Sequence, residues 1–221
     1  MTRLLLHGFT GSPAMFAGVD CIAPELPGHG SAAPATSWNA AVEQLAALLK
    51  DGSSTLGGYS MGARLALAVA LRYPDRVERL ILESGTPGIE DDADRASRRA
   101  ADEALAQLLE REGIDAFVRK WEANPVLAGQ PHQALRAGRR SHTPEGLAGA
   151  LRRLGQGAQP SLWPELPRLR IPTLLIAGEH DLKYAAIARR MQALLPRAEV
   201  QIVKGAGHSP HLENRFDWRT A

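Results

Sequence analysis

The chain has 221 residues, 44% of them hydrophobic, and sets 26 Lys and Arg against 24 Asp and Glu for a formal charge of +2. That length suits one domain with a large core, and basic residues scattered among acids argue against a nucleic-acid-binding stripe. One cysteine, Cys21, excludes an internal disulfide, no apolar run reaches membrane-spanning length, and residues 1–6 lack a signal-peptide pattern, so no membrane partner and a cytoplasmic location are expected.

Leu4, Leu5 and Leu6 predict a buried strand that opens into the loop His7-Gly8-Phe9-Thr10-Gly11-Ser12. Residues 19–23 predict another strand before the turn-rich Pro24-Glu25-Leu26-Pro27-Gly28-His29-Gly30. Ser37 is placed to cap a helix with Val42, Leu45, Leu48 and Leu49 on one face, and Asp51-Gly52 to end it. Thr55-Leu56-Gly57 then leads as a strand into Gly58-Tyr59-Ser60-Met61-Gly62, and an Ala/Leu-rich helix follows as far as Tyr73-Pro74. A serine within G-x-S-x-G, between strand and helix, is pushed into a tight and exposed turn with a helix N-terminus behind it. Residues 77–83 predict a further strand.

From Asp91 to about Leu154 the helical period takes over, with breaks near Gly113, Pro125, Gly129 and Pro144. A helical cap over about residues 91–160, inserted into a single domain spanning 1–221, is expected. Strands at 172–177 and 199–203 flank a helix over roughly 183–195. Strand–helix alternation of this kind predicts an α/β fold, with a mostly parallel sheet of about six strands covered by helices on both faces.

Two later loops supply partners for Ser60. Asp181 follows one strand in Gly178-Glu179-His180-Asp181, and His208 follows the next in Gly205-Ala206-Gly207-His208, each just past a strand's C-terminal end. In this order His208 would take the Ser60 proton and Asp181 would orient its other ring nitrogen. Backbone N–H groups of Phe9 and Met61 are the candidate oxyanion-hole donors. No set among His7, His29, His180 and His211 has metal-ligand spacing, so neither metal nor cofactor is expected.

Taken together, His7-Gly8-Phe9-Thr10-Gly11-Ser12, Pro27-Gly28-His29-Gly30, Gly58-Tyr59-Ser60-Met61-Gly62 and Gly207-His208 resemble the α/β-hydrolase superfamily over almost the whole chain. More specifically, the segments around Ser60-Met61-Gly62-Ala63-Arg64, Glu83-Ser84-Gly85-Thr86-Pro87-Gly88, Trp121-Glu122-Ala123-Asn124-Pro125 and Asp181-Leu182-Lys183-Tyr184 are similar to the 2-succinyl-6-hydroxy-2,4-cyclohexadiene-1-carboxylate synthases of menaquinone biosynthesis. The resemblance implies a lyase that takes a proton from a cyclohexene carboxylate and expels pyruvate, with Ser60 as base. It also implies that Arg64, Arg98 and Arg140 hold a small polycarboxylate substrate and that Tyr59 and Trp121 line its pocket. Against the usual fold the chain starts directly at the strand before His7 and stops soon after Trp218, so a closing helix is not expected. A serine carboxylesterase or thioesterase with Ser60 as nucleophile, and a non-catalytic binding protein on the same fold, remain open at this point, as does the oligomeric state.

Overall fold

The computed structural model describes residues 2–49 and 54–221. Among these, five strands form one all-parallel sheet in the order β1 (Thr2–Leu6), β2 (Ser54–Tyr59), β3 (Val77–Glu83), β4 (Thr173–Gly178) and β5 (Ala198–Val203). Neighbours in space are therefore neighbours in sequence, and each connection must cross a face of the sheet. Helix α1 (Trp38–Ala46) lies between β1 and β2, α2 (Met61–Arg72) between β2 and β3, and α6 (Leu182–Leu194) between β4 and β5. The larger core joins alternate strand positions such as Leu4, Leu6, Leu56, Leu80 and Leu82 to α1, α2 and α6. A smaller one joins Leu5, Ile81 and Ile176 to Phe16, Val203 and Trp218 on the other face.

The sheet has five strands and not about six. Residues 19–23 meet β1 only at a single parallel bridge, Leu4 with Ile22, supported by Leu5 N–H to Ile22 C=O at 2.9 Å and Ile22 N–H to Arg3 C=O at 2.8 Å. Val19, Cys21 and Ala23 pack on the smaller core while Ile22 is exposed, so the alternation is that of a strand but the ladder is not continued. Helix α1 begins, as expected, at the Ser37 cap, whose hydroxyl accepts the Ala40 N–H at 3.1 Å, but it ends at Ala46, so Leu48 and Leu49 lie beyond it and Leu48 is exposed. Its expected end at Asp51-Gly52 lies outside the described residues.

Between β3 and β4 run α3 (Asp92–Glu122), α4 (His132–Arg140) and α5 (Pro144–Leu154). Asp91 caps α3 through the Asp94 N–H, Thr143 caps α5 through the Gly146 N–H, and α3 kinks at Gly113, where φ is 78°. These helices have a core of their own, including Leu109, Phe117, Val118, Leu147 and Leu151, with Phe9 from the loop after β1 packed against it. Phe9 is edge-on to both Phe117 and Trp121, at 6.0 and 5.1 Å between ring centroids. The helical layer is thus seated on the loop that follows the first strand.

Candidate active site

Ser60 sits between β2 and α2 with φ 52° and ψ −108°, a left-handed backbone unusual for a residue with a side chain. Its N–H donates to the Glu83 carbonyl at 2.8 Å, and its carbonyl accepts the Arg64 N–H at 3.1 Å, so the strained residue is tied to β3 on one side and to the first turn of α2 on the other. The flanking glycines are required by close approach: a Cβ on Gly58 would lie 2.4 Å from the Gly62 carbonyl carbon, and one on Gly62 would lie 1.9 Å from the Leu6 carbonyl oxygen.

The loops after β4 and β5 bring the expected partners to this serine. His208 Nε2 is 3.1 Å from Ser60 Oγ, and its Nδ1 is 2.6 Å from Asp181 Oδ2. An ionised Asp181 only accepts, so Nδ1 carries the ring proton and the Nε2 lone pair faces the serine hydroxyl. The second Asp181 oxygen caps α6 by accepting the Tyr184 N–H at 3.2 Å, fixing the carboxylate from both sides. His208 is buried, with Tyr59 and Tyr184 rings against it at 5.6 and 4.6 Å. The arrangement can lend Ser60 a base, and can hold the resulting imidazolium by the Asp181 charge.

A cavity of about 260 Å³ opens onto Ser60 and His208. Its wall on the sheet side includes Phe9, Tyr59, Met61 and Arg64, and its wall on the helical side includes Arg98, Trp121 and Arg139. The expected site residues therefore line it except Asp181, which lies behind His208, and Arg140. Arg140 is exposed and pairs with Asp115 at 2.6 Å, whereas its neighbour Arg139 is buried and lines the cavity. One step along a helix rotates a side chain by about 100°, enough to turn it from the cavity to solvent. The pattern Arg136, Arg139 would have given the right face, since both bind Glu122 from one side of α4.

Arg64 is buried and donates to Gln159 Oε1 at 3.0 Å and to the Leu154 carbonyl at 2.8 Å, with the guanidinium over the Trp38 ring. Its hydrogen bonds go to neutral acceptors, and burial pulls its pKa down from 12.5 to about 10, which still leaves it charged at neutral pH. Arg98 is held by Asp102 at 2.8 Å and Arg139 by Glu122 at 2.9 Å. The lining carries four cationic side chains, Arg64, Arg98, Arg139 and Lys183, against one carboxylate, Asp102. Such a cavity favours an anionic guest, and the planar guanidinium forks suit carboxylates.

Gln130 was not foreseen from sequence. From the segment between α3 and α4 it donates to the Tyr59 hydroxyl at 2.9 Å and to Ser209 Oγ at 2.5 Å, and it accepts from Arg139, so the helical layer is bonded to the loop that carries His208. Its partners lie 71 and 79 residues away in sequence, and no local pattern marks it. Two other histidines of the sequence motifs are structural. Burial lowers the His7 pKa to about 4 and that of His29 well below its usual value. As neutral rings, His7 accepts the Leu26 N–H at 3.1 Å and His29 the Thr10 N–H at 3.2 Å, joining the first two loops. Among the described residues no group of three or more His, Cys, Asp or Glu is placed to hold a metal ion, and no helix is long and apolar enough to cross a membrane.

A strained serine between a parallel strand and a helix, bonded to a histidine after β5 that is in turn bonded to an aspartate after β4, defines an α/β hydrolase. The chain belongs to the alpha/beta hydrolase family, whose profile matches residues 4–218. It is similar to the 2-succinyl-6-hydroxy-2,4-cyclohexadiene-1-carboxylate synthase of Salmonella schwarzengrund, at 32% identity over 96% of this chain and 88% of that protein. A Bacillus subtilis protein that bears the same name provisionally is 39% identical over 94% of this chain and 84% of its own length. Among solved structures, MenH from S. aureus matches with a TM-score of 0.90 and 34% identity, covering 96% of this chain and 88% of that one.

Proposed function

We propose that the protein is a 2-succinyl-6-hydroxy-2,4-cyclohexadiene-1-carboxylate synthase of menaquinone biosynthesis, a lyase that eliminates pyruvate from 2-succinyl-5-enolpyruvyl-6-hydroxy-3-cyclohexene-1-carboxylate. The observation that carries the reading is the excess of cations in a cavity that also holds the Ser60 and His208 pair. The substrate has three carboxylates, on the ring, the succinyl arm and the enolpyruvyl ether. An ester of a fatty or neutral acid would leave the buried Arg64 with neutral hydrogen-bond acceptors and the Trp38 ring but no counter-charge.

The proposed chemistry uses the geometry of the site. His208 Nε2 accepts the Ser60 proton, and the Ser60 oxygen removes the ring proton beside the succinyl ketone. The electron pair moves onto the ketone oxygen, where the Phe9 and Met61 N–H groups act as donors; Met61 is the first residue of α2, so its N–H has no acceptor within the helix. As the enolate collapses, the ring double bond shifts and the C–O bond to the enolpyruvyl group breaks. The proton held by His208 returns to the leaving enol, which becomes pyruvate, and Ser60 is left protonated as it began.

Coupling the reaction to lactate dehydrogenase tests this directly: one pyruvate per diene is expected, and a folded protein that releases none from the enolpyruvyl substrate overturns the reading. The Ser60 elbow would serve an ester hydrolase equally well. A covalent adduct with acyl substrates, together with turnover of simple esters and no pyruvate release, would move the assignment there. The arginines separate further. Arg139→Ala is expected to lower kcat/KM by roughly ten- to a hundredfold, the loss of one charge-assisted bond of about 1.5–3 kcal/mol. Arg140→Ala should stay within about twofold, and steady-state kinetics of the pair would show equal losses if the cavity assignment were mistaken.

A further inference from the structure

One buried carboxylate close to the site does not line the cavity. Glu83 ends β3, and although it is fully buried it keeps an ionisable side chain in a strand whose other inward positions are apolar. Its Oε1 accepts two hydrogen bonds from one residue, the His211 N–H at 3.2 Å and the His211 ring Nδ1–H at 2.8 Å, and its Oε2 accepts the Trp218 Nε1–H at 2.9 Å. Through its main chain the same residue accepts the Ser60 N–H. One residue of the sheet thus grips the serine by its carbonyl and the segment after His208 by its carboxylate.

We infer that Glu83 is the positioning residue for the base, setting His208 against Ser60 by holding His211, three residues further along the same loop. Residues 204–211 have no helix or strand of their own, and beyond a few backbone bonds, such as the His180 N–H to the Ala206 carbonyl at 2.9 Å, their placement depends on side-chain ties. Glu213 accepts the Gly207 and Ser209 N–H groups at 2.7 and 3.1 Å, but it belongs to the same terminal segment and shapes the loop without fixing it to the sheet. The Tyr59 hydroxyl and Gln130 bind Ser209 by neutral bonds. Asp181 holds the His208 ring itself and the Glu179 carboxylate accepts the Gly205 N–H at 2.9 Å ahead of it; Glu83 is the charged anchor on the far side of His208, and a charge-assisted bond is the stronger kind. The His211 ring lies against Tyr59 at 4.9 Å and Phe16 at 6.1 Å, and its Nε2 has no partner among the described residues, so Nδ1 to Glu83 is the ring's polar tether. A buried carboxylate costs desolvation that an apolar residue would avoid, and three converging donors are what make it tolerable here.

The inference rests on Ser60 and His208 working together as proposed above, but its test does not require the elimination. His211→Asn and His211→Leu are close in shape, and only Asn offers an N–H near the place of Nδ1–H. The expected result is that His211→Leu lowers kcat for pyruvate release by about ten- to a hundredfold with KM within about threefold, while His211→Asn keeps both within about threefold. In parallel, the NMR resonance of the His208 Nδ1 proton shared with Asp181 should persist in His211→Asn and broaden in His211→Leu. Equal behaviour of the two variants, whether both intact or both impaired, would overturn the assignment, because the ring contacts and not the bond to Glu83 would then matter. Should His211→Leu fail to fold, Glu83→Gln is read in its place, and an unchanged kcat and resonance there would overturn it equally. If the wild type released no pyruvate the synthase reading would fall, yet the resonance comparison would still decide this one.

Discussion

Ser60→Ala is expected to reduce kcat for pyruvate release on the order of a thousandfold or more, with KM little changed. The hydroxyl is the only group of the site that bridges the His208 lone pair and the cavity, at 3.1 Å from Nε2 among the described residues, whereas the cations that would hold the substrate sit on other side chains. A thousandfold corresponds to about 4 kcal/mol of lost transition-state stabilisation. His208→Ala should cost a similar factor and the double variant little more, since the two act as one unit and their losses do not add. Steady-state kinetics on the enolpyruvyl substrate would check this, and a Ser60→Ala protein retaining a tenth of its kcat would remove the serine from the chemistry.

Gly62→Ala should be among the most damaging single methyl additions at the described glycines. Its Cβ would fall 1.9 Å from the Leu6 carbonyl oxygen, 2.4 Å from the Leu6 carbonyl carbon and 2.6 Å from the His7 carbonyl oxygen. All three belong to backbone at the end of β1, which cannot swing aside as a side-chain tip can. Helix α2 would have to lift from the sheet, carrying Ser60 and Arg64 with it. The expected destabilisation is about 3 kcal/mol or more, or roughly 6–12 °C in Tm for a chain of this size. Whatever protein folds should show a displaced serine and hence a loss in kcat. A thermal melt superimposable on the wild type would show that the helix has more room than the structure gives it.

What could be read from the sequence follows from how local each signal is. Ser60, Asp181 and His208 were legible because each lies in a short turn directly after an apolar strand, and a parallel sheet brings all such turns to one edge. The breaks of the helical segment were legible for the same reason: Gly113 marks the kink of α3 and Pro144 the first turn of α5. Residues 19–23 misled because alternation reports which side chains are buried, and Val19, Cys21 and Ala23 do pack inward, without reporting whether a hydrogen-bond ladder continues past Ile22. Arg140 misled through helix phase, where an error of one residue costs a third of a turn. Gln130 was silent, because Tyr59 and Ser209 are 71 and 79 residues away, and Glu83, although it opens a motif shared with the synthases, gave no sign of its bonds to His211 and Trp218, 128 and 135 residues away.

The helical layer leaves the sheet at the end of β3 and rejoins it at β4, and these two strands are hydrogen-bonded neighbours, with Glu83 in register with Ile176. The whole excursion from α3 to α5 is therefore a loop of the chain whose two feet stand side by side. Ser60, Asp181 and His208 all lie outside it, while Arg98, Trp121 and Arg139 lie within. Lengthening, shortening or exchanging that excursion is expected to leave the strands that carry Ser60, Asp181 and His208 in place and to alter the shape and charge of the cavity, provided the tie from Gln130 to Ser209 is kept. A chimera carrying another family member's helices between residues 91 and 160 offers a direct route to new substrates on an unchanged base.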